Sequence, residues 1–163
     1  MIYIFDLDHT VIDSSHRQLT LADGSLDLEH WVDNCTREKI LGDSLLPLAY
    51  EMRDLIARNR HVIVCTARVM GAHDYEFLAA RGLTPNAILS RPFGDTTTDH
   101  LLKEKLLREY AASIRYTFAR FARNAVMFDD NASVNAHLRG FGINTNCAIR
   151  ANKILDTRAA LAV

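Results

Sequence analysis

Apolar residues along this chain fall into two patterns that alternate. Short uninterrupted runs at Met1–Phe5, His61–Thr66, Ala87–Leu89, Ala125–Phe128 and Ile143–Ile149 predict strands. Between them the apolar positions recur at helical spacing. Asp43 or Ser44 is expected to cap a helix carrying Leu45, Leu48, Met52, Leu55 and Ile56, and a short helix after the second strand is expected to end near Gly82. Leu102, Leu106, Tyr110, Ile114, Phe118 and Phe121 form one stripe, which predicts a single long core-facing helix opening at Asp99. A further helix from about Ala132 to Arg139 stops at Gly140, and nothing in the pattern assigns the tail after Ala151. Continuous apolar strands alternating with amphipathic helices indicate an α/β fold, a parallel sheet covered on both faces. The chain reads as one domain over residues 1–163, with a small polar, turn-rich insertion over about 11–42 that contains Ala22-Asp23-Gly24-Ser25.

Composition narrows the setting. Of the 163 residues, 48% are apolar and 24% charged, enough for one sizeable core. No apolar run approaches the length that crosses a bilayer. The apolar start lacks a basic flank, so it reads as a first buried strand and not as a secretion signal. Cys35, Cys65 and Cys147 are odd in number and show no CxxC spacing, which argues against a disulfide framework or zinc site and for a reducing, cytoplasmic setting. A net charge of −1 carries no global signal for nucleic acid, so any phosphate recognition must come from a few placed arginines.

In doubly wound sheets ligands bind beyond the carboxyl ends of the strands. Three strand ends here carry polar residues directly after apolar runs: Asp6 and Asp8, then Thr66 and Arg68, then Asp129 and Asp130. Asp6 and Asp8, at i and i+2, lie on one side of an extended chain, and like charges so placed repel unless a cation or proton intervenes. All-oxygen ligation of that kind suits Mg²⁺. A phosphoryl group needs its oxygens neutralised while a nucleophile attacks in line, and Thr66, Arg68 and Lys103 are suited to that task. Each feature has a plainer reading alone: Thr66 as a strand residue, Asp129-Asp130 as a solvated turn, Lys103 as part of a solvated helix face. Their occurrence together in this order points to phosphoryl transfer.

The segment Asp6-Leu7-Asp8-His9-Thr10, with Thr66, Lys103 and the Asp129-Asp130 pair, resembles the four motifs of the haloacid dehalogenase superfamily of phosphohydrolases. That resemblance implies a Rossmann-like three-layer sandwich with a minimal cap. It also implies Asp6 as nucleophile, Asp8 as general acid and then base, and Thr66 and Lys103 on the phosphate. Mg²⁺ would be held by the Asp6 carboxylate, the Asp8 main-chain carbonyl and Asp129, with Asp130 supporting through water. His9 departs from the pattern, standing where glycine is commoner.

A narrower resemblance is to the 3′-phosphatase domain of phage-type polynucleotide kinases. Arg91 to Lys103 matches that domain's R-x-x-G-D-T-x-x-D-x-x-x-K signature, with Asp99 four residues before Lys103. Arg68 ends the second motif, and Arg17 lies eleven residues after Asp6, where that domain needs an arginine. The likeness implies substrate contacts from Arg17, Arg68, Arg91 and Asp99. Asp99 also reads as the cap of its helix, and Arg17 as a solvated loop residue.

The leading expectation is therefore a Mg²⁺-dependent phosphatase acting on a nucleic-acid 3′ end, its small cap leaving room for a polymer. The alternative is a small-metabolite phosphatase such as a mononucleotidase. No G-x-x-x-x-G-K-[ST] element occurs, so a kinase activity would belong to a separate partner protein. A phosphoaccepting receiver domain uses similar residues in the inverse order. The oligomeric state and the role of the stretch from Arg108 to Arg123 are open.

Overall fold

The computed structural model describes residues 1–161. From the N-terminus, β1 (Ile2–Phe5) leads to a short strand β2 (Ile12–Asp13), a 3-10 turn at Ser15–Arg17, and helices α1 (Leu28–Asp33) and α2 (Arg37–Leu41). The chain returns through β3 (Ser44–Leu45) to α3 (Pro47–Ala57), β4 (His61–Thr66), α4 (Ala72–Ala80) and β5 (Ala87–Ser90). Then follow α5 (Asp99–Ser113), α6 (Phe118–Arg123), β6 (Ala125–Asp129), α7 (Ala132–Arg139), β7 (Asn144–Cys147) and α8 (Ala148–Leu161). The long strands form one parallel sheet in the order β5-β4-β1-β6-β7, and β2 and β3 make a separate antiparallel pair.

The central position of β1 explains why its sequence is apolar throughout, since a strand covered on both faces has no polar side. Alternate residues serve opposite cores. Phe5 joins Val62, Val64, Met52 and Phe77 on one face, while Ile4 joins Ile63, Met127, Leu107 and Phe121 on the other. Among the described residues no helix is long and apolar enough to cross a membrane.

Four expectations need correction. Asp43 and Ser44 do not cap a helix: Ser44 and Leu45 pair with Asp13 and Ile12, and α3 begins at Pro47 after Leu46. Pro47 is preset for a first helical turn, where its missing N–H costs nothing, while the Asp43 carboxylate is taken by Arg17. The single long helix is two, because Arg115 adopts a left-handed conformation (φ 58°) and Thr117 caps a new start by accepting from the Arg120 N–H. The stripe stays continuous because α6 folds back, with Tyr110 edge-on to Phe121 and Phe118 stacked against it. The last strand ends at Cys147, and Ala148–Leu161 is helical. Asp99 is the first residue of α5 and Thr98 is its cap.

The excursion between β2 and β3 is held by a buried ion pair beside the apolar anchor of Ile40. Arg17, 1% exposed, donates from Nε and Nη2 to the two Asp43 oxygens at 2.9 and 3.0 Å, and the Trp31 ring lies 4.0 Å from its guanidinium carbon. A planar fork on a carboxylate with an aromatic face against it is the kind of site where arginine tolerates burial.

Candidate active site

The carboxyl ends of β1, β4 and β6 open into a cavity of about 890 Å³ lined by Asp6, Asp8, Thr66, Lys103, Asp129 and Asp130. Asp6 directly follows β1, Thr66 ends β4 and Asp129 ends β6, so the sheet register sets their spacing. Lys103 reaches in from α5, 2.9 Å from Asp6 Oδ1 and 2.6 Å from Asp129 Oδ2, and is itself 2% exposed. Asp6, Asp129 and Asp130 each offer a carboxylate oxygen, and these oxygens lie within 4.8 Å of one another.

Three carboxylates around one ammonium leave an excess of negative charge in a dry place. Burial, with the charges of Asp129 and Asp8, pushes the Asp6 carboxyl up to about 6 against the pull of Lys103. Burial also raises Asp129 and Asp130, the latter with help from Asp6. Burial works against the charge of Lys103, but Asp6 and Asp129 outweigh it and hold the ammonium firmly protonated. Hard oxygens with surplus negative charge fit a divalent cation of the Mg²⁺ type.

Asp8 faces another partner. Burial alone would raise its carboxyl, yet Arg68 outweighs it and keeps the group below the ordinary range, aided by the Ser14 hydroxyl. Arg68 donates from Nε to Asp8 Oδ2 at 3.0 Å and from Nη1 to Asp74 Oδ1 at 2.6 Å, with Asp43 3.8 Å from Nη2. It lines the cavity with these donors already engaged. Thr66 is buried, and its hydroxyl accepts from the Arg68 N–H. Behind Asp129, the Asn131 N–H donates to its Oδ1 and the Asn135 side chain to its carbonyl, which fixes the turn.

The remaining expected substrate residues are less exposed to the cavity's chemistry. Arg17 is outside the lining and paired with Asp43. Arg91 lines the cavity, but its Nε donates to the Ala67 carbonyl, its Nη1 to the Asp95 and Thr97 carbonyls, and its Nη2 to Asp99 Oδ1. Asp99 is thus the acceptor for Arg91. Residues without a motif complete the site: Ser14, Asp43 and Asp74 around the arginines, and Leu28, Trp31, Val32 and Phe93 on the cavity wall. Only the crowd of arginines and aspartates between 8 and 74 hinted at the first group.

A parallel sheet with a lysine, a threonine and three clustered carboxylates at its carboxyl edge defines a phosphoric monoester hydrolase of the haloacid dehalogenase type. The chain belongs to the bacteriophage T5 5′-deoxynucleotidase family, whose model matches residues 1–163. It is 33% identical over 178 residues to a 5′-deoxynucleotidase of Escherichia phage T5, covering 98% of this chain and 72% of that protein. Among solved structures, a haloacid dehalogenase-like hydrolase from Streptococcus pneumoniae superposes with a TM-score of 0.63 at 12% identity, over 93% of this chain and 90% of the other. A chain of the Pnkp1/Rnl/Hen1 RNA repair complex gives 0.58 at 19% identity, over 90% and 41%. A superfamily hydrolase from Ehrlichia chaffeensis gives 0.51 at 14%, over 96% of each. At such identities the structural neighbours speak for the fold.

Proposed function

We propose that the protein is a Mg²⁺-dependent nucleotidase that removes phosphate from deoxynucleoside 5′-monophosphates by way of an aspartyl phosphate on Asp6. The observation that carries the chemistry is the buried Asp6 carboxylate set between Lys103 and the Asp129-Asp130 pair at the polar end of the cavity. The substrate class is supported by the 5′-deoxynucleotidase relative. It replaces the 3′-end reading as the better-supported one. The arginines that suggested a polymer end are occupied within the protein, Arg17 by Asp43 and Arg91 by three carbonyls and Asp99. A nucleotidase also needs no separate kinase partner.

In this reading an Asp6 carboxylate oxygen attacks phosphorus and the bond to the ester oxygen breaks. Lys103 and the Thr66 hydroxyl bind the phosphoryl oxygens, where they meet charge as it develops. Mg²⁺ held by Asp6, Asp129 and Asp130, with the Asp8 main-chain carbonyl, would neutralise charge between the attacking carboxylate and the phosphate. An incoming phosphate competes with Asp8 for Arg68, which loosens the pair and lets Asp8 carry the proton it gives to the leaving oxygen. Asp8 then takes a proton from the water that attacks the acyl phosphate, releasing phosphate and restoring Asp6. Residues 11–42 serve as a minimal cap on a single domain. The free thiols of Cys35, Cys65 and Cys147 support a reducing, intracellular setting.

The test is a substrate panel with Mg²⁺: deoxynucleoside 5′-monophosphates, their 3′ isomers, and an oligonucleotide ending in a 3′-phosphate. The 5′-monophosphates should give the highest kcat/KM. A higher value on the oligonucleotide would return the assignment to a 3′-end phosphatase.

A further inference from the structure

The phosphate end of the cavity is complete without its other wall. That wall is apolar, and its residues are left open to solvent. Leu28 and Val32 on α1 are each 68% exposed, Val69 is 44% exposed, and Phe93 is 96% exposed, yet all line the same space as Asp6. An apolar surface continuous with a phosphate site is unusual for a lone anion and suits a substrate with a flat apolar group beyond its phosphate.

Phe93 stands out because its backbone is well braced while its ring touches so little. It lies in the turn between β5 and α5, where the Asp95 N–H donates to the Pro92 carbonyl and Gly94 takes a φ of 80° that a side chain would oppose. The Thr97 N–H donates to Asp95 Oδ1 at 2.7 Å. Arg91 ties this turn to the end of β4 through Ala67 and to α5 through Asp99. Arg91 thus donates four hydrogen bonds around this turn, and Phe93 is nonetheless left open to solvent.

We infer that Phe93 is a specificity-determining residue, the platform on which the nucleobase stacks while its 5′-phosphate meets Asp6 and Lys103, with the Leu28, Trp31 and Val32 side of the cap completing the base pocket. This rests on the nucleotidase reading. Arg91 and Asp99 then act on the substrate indirectly, by holding the platform. Stacking on an aromatic face tolerates any base, so the site accepts purines and pyrimidines alike.

The experiment compares wild type, Phe93→Ala and Phe93→Tyr on deoxynucleoside 5′-monophosphates and on 2-deoxyribose 5-phosphate, which has no base. Phe93 is too exposed for its loss to unfold the chain, and equal melting temperatures check this. Phe93→Ala should lower kcat/KM on the nucleotides by about 10-fold or more, mainly through KM, and leave the sugar phosphate within about twofold. Phe93→Tyr should restore most of the loss. An equal fall on both substrates, or none on the nucleotides, overturns the proposal. The nucleotidase reading fails separately, in the wild type: turnover of other phosphomonoesters with none of any nucleoside monophosphate overturns both.

Discussion

Asp6 and Asp8 are two residues apart and live in opposite electrostatic surroundings. Asp8 is matched by Arg68, whereas Asp6 shares one lysine with Asp129. The sign of the pH effect follows. With a folded-state value raised from 3.8 to about 6, Asp6 binds more protons folded than unfolded between those limits. Its contribution to stability therefore falls as pH rises through that window. The difference in melting temperature, wild type minus Asp6→Asn, should decline from about pH 4 to pH 6 in metal-free buffer. Mg²⁺ should stabilise the wild type more at pH 7 than at pH 5, and the variant little at either. A flat difference would show that Asp6 is not charge-crowded. In turnover assays Asp6→Asn should be inactive with its fold kept, since the amide has no charge with which to attack. Asp6, Thr66, Lys103 and Asp129 were legible in the sequence because strand ends and helix positions are set by local spacing. Asp43 and Asp74 were not: Asp43 is far from Arg68 in the chain, and Asp74, six residues from it, lies in the first turn of α4 where an aspartate reads as a plain helix-start residue.

At the scale of elements, the central strands were readable because burial on both faces writes itself as unbroken apolar runs. Helix α8 was not. Its few buried residues include Ala148 and Asn152, and an asparagine facing a core carries no hydrophobic signal. Yet Asn152 joins the two ends of the chain. Its Oδ1 accepts from the Leu48 N–H at 2.8 Å, and its Nδ2 donates to the Thr10 carbonyl at 2.9 Å. Leu48 lies in the first turn of α3, where N–H groups have no helical partner, so the side chain does the work of a missing cap. Asn152→Ala should cost about 1–3 kcal/mol in urea unfolding, because both buried backbone groups lose their partners. Asn152→Asp should be worse than a neutral change, since a carboxylate cannot donate to Thr10. A loss below half a kcal/mol would mean water replaces the side chain. The break at Arg115 was hidden for the opposite reason: the apolar stripe runs across it, and only the backbone turn departs from a helix.

For the molecule as a whole, the cap meets the sheet through buried charge as well as through apolar contact, where Ile40 joins the core of Phe5 and Val64. Asp43 receives Arg17 from the cap and sits 3.8 Å from Arg68, which holds Asp8. Removing one member of a buried pair leaves the other uncompensated, so Asp43→Ala should destabilise by about 3–5 kcal/mol. The Asp43→Ala/Arg17→Met double variant, which removes both charges, should recover part of that loss in thermal unfolding. A double-variant loss equal to the sum of the two single-variant losses would refute a coupled pair. The same arrangement has an optical consequence. Trp31 is the only tryptophan in the chain, and its indole faces the cavity with the guanidinium carbons of Arg17 and Arg68 4.0 and 5.4 Å from its ring. Its emission therefore comes from one chromophore placed where cap, arginines and substrate meet. Phosphate or nucleotide binding can be followed on the unlabelled protein by intensity and colour, and a stopped-flow trace would time the cap against the chemistry.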